Sequence, residues 1–108
     1  MEFNKLVRDK VPSLVTKDGG SYSLQLLSPL EHQHEITNKL FEELHEYKEA
    51  TATDIALEEL IDVVELIYAA AELHGVDRAQ FETLRQEKKK MKGGFQKGIY
   101  LTSITYDQ

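Results

Sequence analysis

Four acidic residues, Glu43, Glu46, Glu59 and Asp62, stand in the chain as two pairs, each with i, i+3 spacing. On helices, that spacing puts the two side chains of each pair on one face, one turn apart. Four converging carboxylates form an all-oxygen donor set, which suits Mg²⁺, Mn²⁺ or Ca²⁺ rather than a soft metal. Other chemistries find little support. The chain has no cysteine, so it has no thiolate nucleophile and no Cys-based zinc site. No Ser/His/Asp set, GxxxxGK[ST] loop or GxGxxG turn is present. His32, His34, His45 and His74 are scattered, and a helical wheel turns His34 and His45 away from Glu43, as surface residues.

The elements that must position these acids are helices. Ser28, Pro29 and Glu31 form a capping box with proline at the first helical position, which predicts a helix over residues 29–51. Thr53 or Asp54 can cap a second helix over residues 54–74, stopped by Gly75. Asp77 can cap a third over residues 77–92, ended by Gly93 and Gly94. A link this short makes the first two helices antiparallel neighbours. Residues 22–27 and 98–106 alternate or are rich in Ile, Tyr, Leu and Thr, and read as short strands able to pair with each other. The expected fold is mainly α, an antiparallel helical bundle of about three helices per chain with short terminal β segments. Residues 1–108 form one domain, since the length supports only one core.

The direction of each acid separates a solvated face from an inward one. With Glu59 at zero on the second helix, Val63, Ala70 and Ile67 lie to one side, and Leu66, Leu73 and Ile55 within about 40° on the other. Asp62 sits about 60° away among Leu73 and Ala69, whereas Glu58, Glu65 and Glu72 form the solvent stripe. On the first helix Glu43 faces inward with Ile36, Leu40 and Leu44, Glu46 lies at the edge, and Glu42 points mostly outward. The wheel makes Glu59 the most deeply committed of the four. Inward carboxylates are costly, and such a group is protonated, paired with Lys or Arg, or neutralised by a cation. The inner arc of the second helix carries no Lys or Arg, and Lys39 alone lies near that edge of the first, which favours the cation. The rival is a helical assembly whose inner Glu residues meet a partner's Lys or reach solvent at a bundle end.

Charge patterning agrees with an acidic centre. The net charge is -6, and of the 13 Lys and Arg only Lys39 and Lys48 fall between residues 21 and 77, a stretch holding 13 of the 19 acids. A nucleic-acid polymer as partner is disfavoured. The opening residues carry no long apolar run of a signal peptide and no stretch is long enough to span a membrane, so a soluble, cytoplasmic protein is expected. The second helix is apolar around most of its circumference, more than one partner helix and a short third can cover, so a homo-oligomer is expected.

The run Glu42-Glu43-Leu44-His45-Glu46, followed after twelve residues by Glu59-Leu60-Ile61-Asp62, resembles the EExxE…ExxD signature of the all-α nucleoside triphosphate pyrophosphohydrolases, the MazG-like proteins related to phosphoribosyl-ATP pyrophosphohydrolase. NKLVRDKVP at residues 4–12 resembles the N-terminal motif of one branch of that superfamily. KKKMKGGF at residues 88–95, running into Gly98-Ile99-Tyr100-Leu101, resembles the same branch's C-terminal motif, with Lys92 where the family often has Arg. Together the three motifs cover most of the chain. The resemblance implies an all-α core assembled as a dimer or a dimer-of-dimers-like bundle. It implies Mg²⁺-dependent hydrolysis of a nucleoside triphosphate to the monophosphate and pyrophosphate, as in clearing of the nucleotide pool, with Mn²⁺ as a possible substitute. It implies Glu43, Glu46, Glu59 and Asp62 as metal ligands and catalytic residues, with Glu42 the less essential first Glu. Lys5, Arg8, Lys10, Lys89 and Lys92, with the Gly93 and Gly94 amides, are candidates for the substrate phosphates. Alternatives are phosphoribosyl-ATP hydrolysis and a non-catalytic assembly or regulatory module. Tyr22, Phe41, Tyr47, Tyr68 and Phe95 could stack on a base, Phe41 and Tyr68 being better suited to the core.

Overall fold

The computed structural model describes residues 4–107 and contains four helices: α1, Val11–Lys17; α2, Pro29–Glu49; α3, Thr53–Leu73; and α4, Arg78–Lys92. Caps explain most of the boundaries. Ser28 accepts from the Glu31 amide while Glu31 accepts from the Ser28 amide, so the capping box closes α2 as expected. Asp77 and Gln80 repeat the device at α4. α3 differs. It begins at Thr53 itself, with Ala52 in the cap position and no side-chain cap, so neither Thr53 nor Asp54 serves as N-cap. α4 stops where Gly93 takes φ +85°, a backbone conformation that favours glycine. α1, which the hydrophobic pattern does not announce, begins with Pro12 in its first turn.

α2 packs along α3, the short link at residues 50–52 turning the chain back on itself. α4 touches only one end of α3, through an edge-to-face pair of Tyr68 and Phe81 with Arg78 stacked over the Tyr68 ring. No strand occurs among the described residues, so the expected β segments at residues 22–27 and 98–106 are corrected to chain without regular secondary structure. Leu24, Leu26, Ile99, Tyr100, Ile104 and Tyr106 are all exposed. β-propensity is expressed only against a packed neighbour, and neither segment has one.

The interior is small. Ile36 and Ala71 are the only buried hydrophobic residues among those described, and Phe41, better suited to the core by sequence, is 69% exposed. The chain exposes 10023 Å², against about 6,100 Å² for a folded monomer of 12.4 kDa. Its radius of gyration is 18.6 Å, where a compact domain of this length has about 13 Å. Along α3, Leu57, Leu60, Ile61 and Val64 line an open apolar groove. No helix is long and apolar enough to cross a membrane.

Candidate metal centre

The α2–α3 contact brings acids together across two helices. Glu43 and Glu46 from α2 and Glu59 from α3 each offer an oxygen, and these atoms lie within 4.8 Å of one another. Glu43 is 6% exposed, the only buried polar or charged residue among those described. The wheel's ranking is therefore revised: Glu43 is deepest, Glu59 is half-buried and Glu46 stands at the exposed rim. Glu43 sits about two helical turns from Ile36, the most buried side chain.

Two oxygens of this trio, Glu43 Oε2 and Glu59 Oε2, are buried with no hydrogen-bond partner. Ionised carboxylates are acceptors only and cannot satisfy one another. Two remedies exist, and the trio's proton affinities display one of them. The Glu59 pKa is raised above its ordinary value, first by the hydrogen bond a protonated carboxyl shares with Glu43, then by burial and by the charges of Glu43 and Asp62. The Glu46 pKa is raised by its hydrogen bond with Glu59, by burial, and by the charges of Glu59 and Glu42. A proton is one counter-ion for the cluster; a divalent cation is the other. Opposite oxygens in a six-coordinate shell stand about 4.2 Å apart around Mg²⁺ and about 4.8 Å around Ca²⁺. Three oxygens all within 4.8 Å of one another are close enough to share such a shell, so the residues fit a hard divalent ion.

The acids around the trio have cationic partners. Asp62, expected as the fourth ligand, is held by Arg8, whose Nη2 donates to Asp62 Oδ1 at 2.5 Å. Lys5 Nζ reaches Glu42 Oε1 at 3.3 Å, and Lys39 Nζ lies 3.5 Å from Glu42 Oε1 and 3.8 Å from Glu43 Oε1. Burial acts to raise the Glu42 pKa, but the hydrogen bonds and charges of Lys5 and Lys39 outweigh it and the net shift is downward. With every carboxyl ionised, these five carboxylates outnumber the three cations beside them by two. A cleft of about 210 Å³ opens beside Lys5, Lys39 and Glu42, with Asn4, Glu35 and Asn38 in its wall.

The candidate phosphate-binding residues divide into two groups. Lys5 and Arg8 stand at the acids. Lys10, Lys89 and Lys92 are exposed and form no ion pair among the described residues. The Gly93 amide already donates to the Lys89 carbonyl at 2.7 Å, ending α4, so it is not free for a phosphate oxygen. Gly94 is exposed next to it. His34 and His45 are exposed, as the wheel indicates. Sequence reasoning missed Arg8 as the partner of Asp62; the signal available was only the concentration of basic residues in the opening segment.

No family model matches this chain, and neither a curated protein nor a solved structure matches it.

Proposed function

We propose that this chain is a divalent-cation-dependent nucleoside triphosphate pyrophosphohydrolase, converting a nucleoside triphosphate and water to the monophosphate and pyrophosphate. The observation that carries the reading is the trio Glu43, Glu46 and Glu59, with two buried oxygens that lack a donor. Its motif resemblance supplies the reaction. Glu43, Glu46 and Glu59 hold the cation, Mg²⁺ by preference, and Asp62 is the fourth carboxylate available to it. Bound there, Mg²⁺ supplies charge neutralisation for the polyphosphate and activation of the attacking water. Glu46, the exposed member, is assigned to accept that water's proton. As water adds at phosphorus the α–β anhydride bond breaks, and the pyrophosphate takes both electrons of that bond. Lys5 and Arg8 provide positive charge at the polyphosphate; no protein nucleophile is needed.

The same proposal includes a second copy of the chain. The excess surface of the single chain and the apolar groove on α3 both support an assembly whose partner helices complete the core. Sedimentation should give a dimer or higher species, and Ile61→Glu should dissociate it.

The catalytic claim is tested by incubating the protein with Mg²⁺ and a panel of ribo-, deoxy- and modified nucleoside triphosphates, with phosphorus NMR of the products. Monophosphate and pyrophosphate are expected. Diphosphate and inorganic phosphate, or no turnover with any triphosphate, would refute the proposal.

A further inference from the structure

The opening segment is tied to the acidic cluster at two points, on two different helices: Lys5 to Glu42 of α2 and Arg8 to Asp62 of α3. Residues 4–8 carry no helix or strand, and these two ion pairs tie the arm to the acids of α2 and α3. Arg8 and Asp62 are 54 positions apart in sequence, and both side chains retain substantial exposure, 56% and 37%. An exposed ion pair of this kind holds by a factor of about five at most, so it is readily exchanged. Asp62 lies one helical turn from Glu59 on the face that carries the donor-starved trio, and the charges of Asp62 and Glu59 act on each other. Arg8 also feels the charge of Glu43. A dication among Glu43, Glu46 and Glu59 would therefore repel the guanidinium and attract the carboxylate that holds it.

We propose that Arg8 is a displaceable internal counter-ion. It occupies Asp62 until a divalent cation takes that carboxylate, and the released guanidinium then binds a phosphate group of the polyphosphate. The inference rests on the cation-site reading above. The exchange balances: Asp62 gives up a single positive partner for a share of a double one, and the freed positive charge moves to an anion that arrives with the cation. The planar fork of Arg8, which now meets a carboxylate, matches a phosphate equally well. Arg8 is in this view a residue that senses the loaded site and positions the substrate, and it has no part in bond breaking.

The test uses the full chain as wild type, Arg8→Gln, Arg8→Lys and Glu59→Gln. In calorimetry with MgCl₂ alone, Arg8→Gln should bind Mg²⁺ about two- to fivefold more tightly than wild type, because the competing pair is gone. Inorganic pyrophosphate added to the Mg²⁺-saturated proteins should show the opposite order, with Arg8→Gln about tenfold weaker and Arg8→Lys between the two. Limited trypsinolysis should cut after Lys5 and Lys10 faster in wild type when Mg²⁺ is added, and at that faster rate in Arg8→Gln without Mg²⁺. Mg²⁺ binding by wild type and not by Glu59→Gln, with affinity and proteolysis unchanged or Mg²⁺ binding weakened in Arg8→Gln, overturns the counter-ion role and leaves the cation site standing. Failure of wild type to bind Mg²⁺ overturns both.

Discussion

The acidic cluster contains two kinds of carboxylate. At its margin, Glu42 is pinned by Lys5 and Lys39, and Asp62 by Arg8. At its centre, Glu43, Glu46 and Glu59 face mainly one another; Lys39 lies 3.8 Å from Glu43, the one ion pair the trio makes among the described residues. The pKa shifts follow the division: Glu42 is lowered, Glu46 and Glu59 are raised. The marginal acids are compensated by the chain itself. The central ones are compensated less by the chain itself. Conflict of this kind, local charges kept together against their own repulsion, concentrates where a protein binds something.

The largest effect should come from breaking the centre. Glu43→Gln or Glu59→Gln should lower pyrophosphate release at least about a hundredfold, since even supporting residues of a metal site are worth about ten- to a hundredfold. Asp62→Asn should lose about tenfold, less than the central pair, because it removes a ligand and the competing arm contact together. Glu42→Gln at the margin should stay within about threefold of wild type. Equal losses at Glu42 and Glu59 in steady-state assays would erase the distinction.

A comparable effect should appear in stability without any substrate. Mg²⁺ at a hundred times its dissociation constant should stabilise wild type by about 2.7 kcal/mol, read as a rise in Tm, and should leave Glu59→Gln unmoved. In metal-depleted protein Glu59→Gln should melt higher than wild type, because it relieves repulsion among like charges. A wild-type Tm indifferent to Mg²⁺ would remove the centre's claim to be a cation site.

pH separates the two sets by sign. A carboxyl with a raised pKa adds stability that is complete below its unfolded value and is lost as pH rises through the raised one. Glu46 and Glu59 therefore make metal-depleted protein lose stability as pH climbs from 4.5 through their raised values. Glu42, Glu31 and Glu82, all lowered from 4.5, contribute above that pH and lose it only as pH falls through their depressed values. Saturating Mg²⁺ should flatten the first trend and leave the second. The first trend persisting unchanged in a Glu46→Gln, Glu59→Gln double variant would show that other groups cause it.

Local signals made the helices legible. Ser28 with Glu31, and Asp77 with its neighbours, announce helix starts through bonds that span three residues. Ala52 leaves no such signal, so the start of α3 was readable only to within a residue or two. Periodicity also carried the inward face of Glu43, because a wheel needs only the helix it is drawn on. It could not rank Glu43 above Glu59, since burial depends on which part of each helix meets the other. Arg8 on Asp62 was illegible for the same reason: a contact across 54 positions belongs to the fold. The β-prone segments failed differently. Their composition is strand-like, but the chain offers them no surface to pack on, and propensity without packing is silent.

The smallest expected effect lies at the margin, where Lys5 meets Glu42. Both side chains are partly exposed and the distance is 3.3 Å, so the pair is screened by solvent and competes with Lys39 for the same oxygen. Lys5→Ala should cost about 0.2–1 kcal/mol or less at low salt, and the loss should fade at high ionic strength. The Glu42 pKa should rise toward its ordinary value, because Lys5 contributes both a hydrogen bond and a charge to holding it down. Lys39 still faces that carboxylate, so the rise should be partial. NMR titration of Glu42 in wild type and Lys5→Ala, at two salt concentrations, measures both effects at once. A shift as large as the one that follows removal of Glu43 from beside Glu59 would mean that margin and centre respond alike, and the arm would then be part of the central charge cluster.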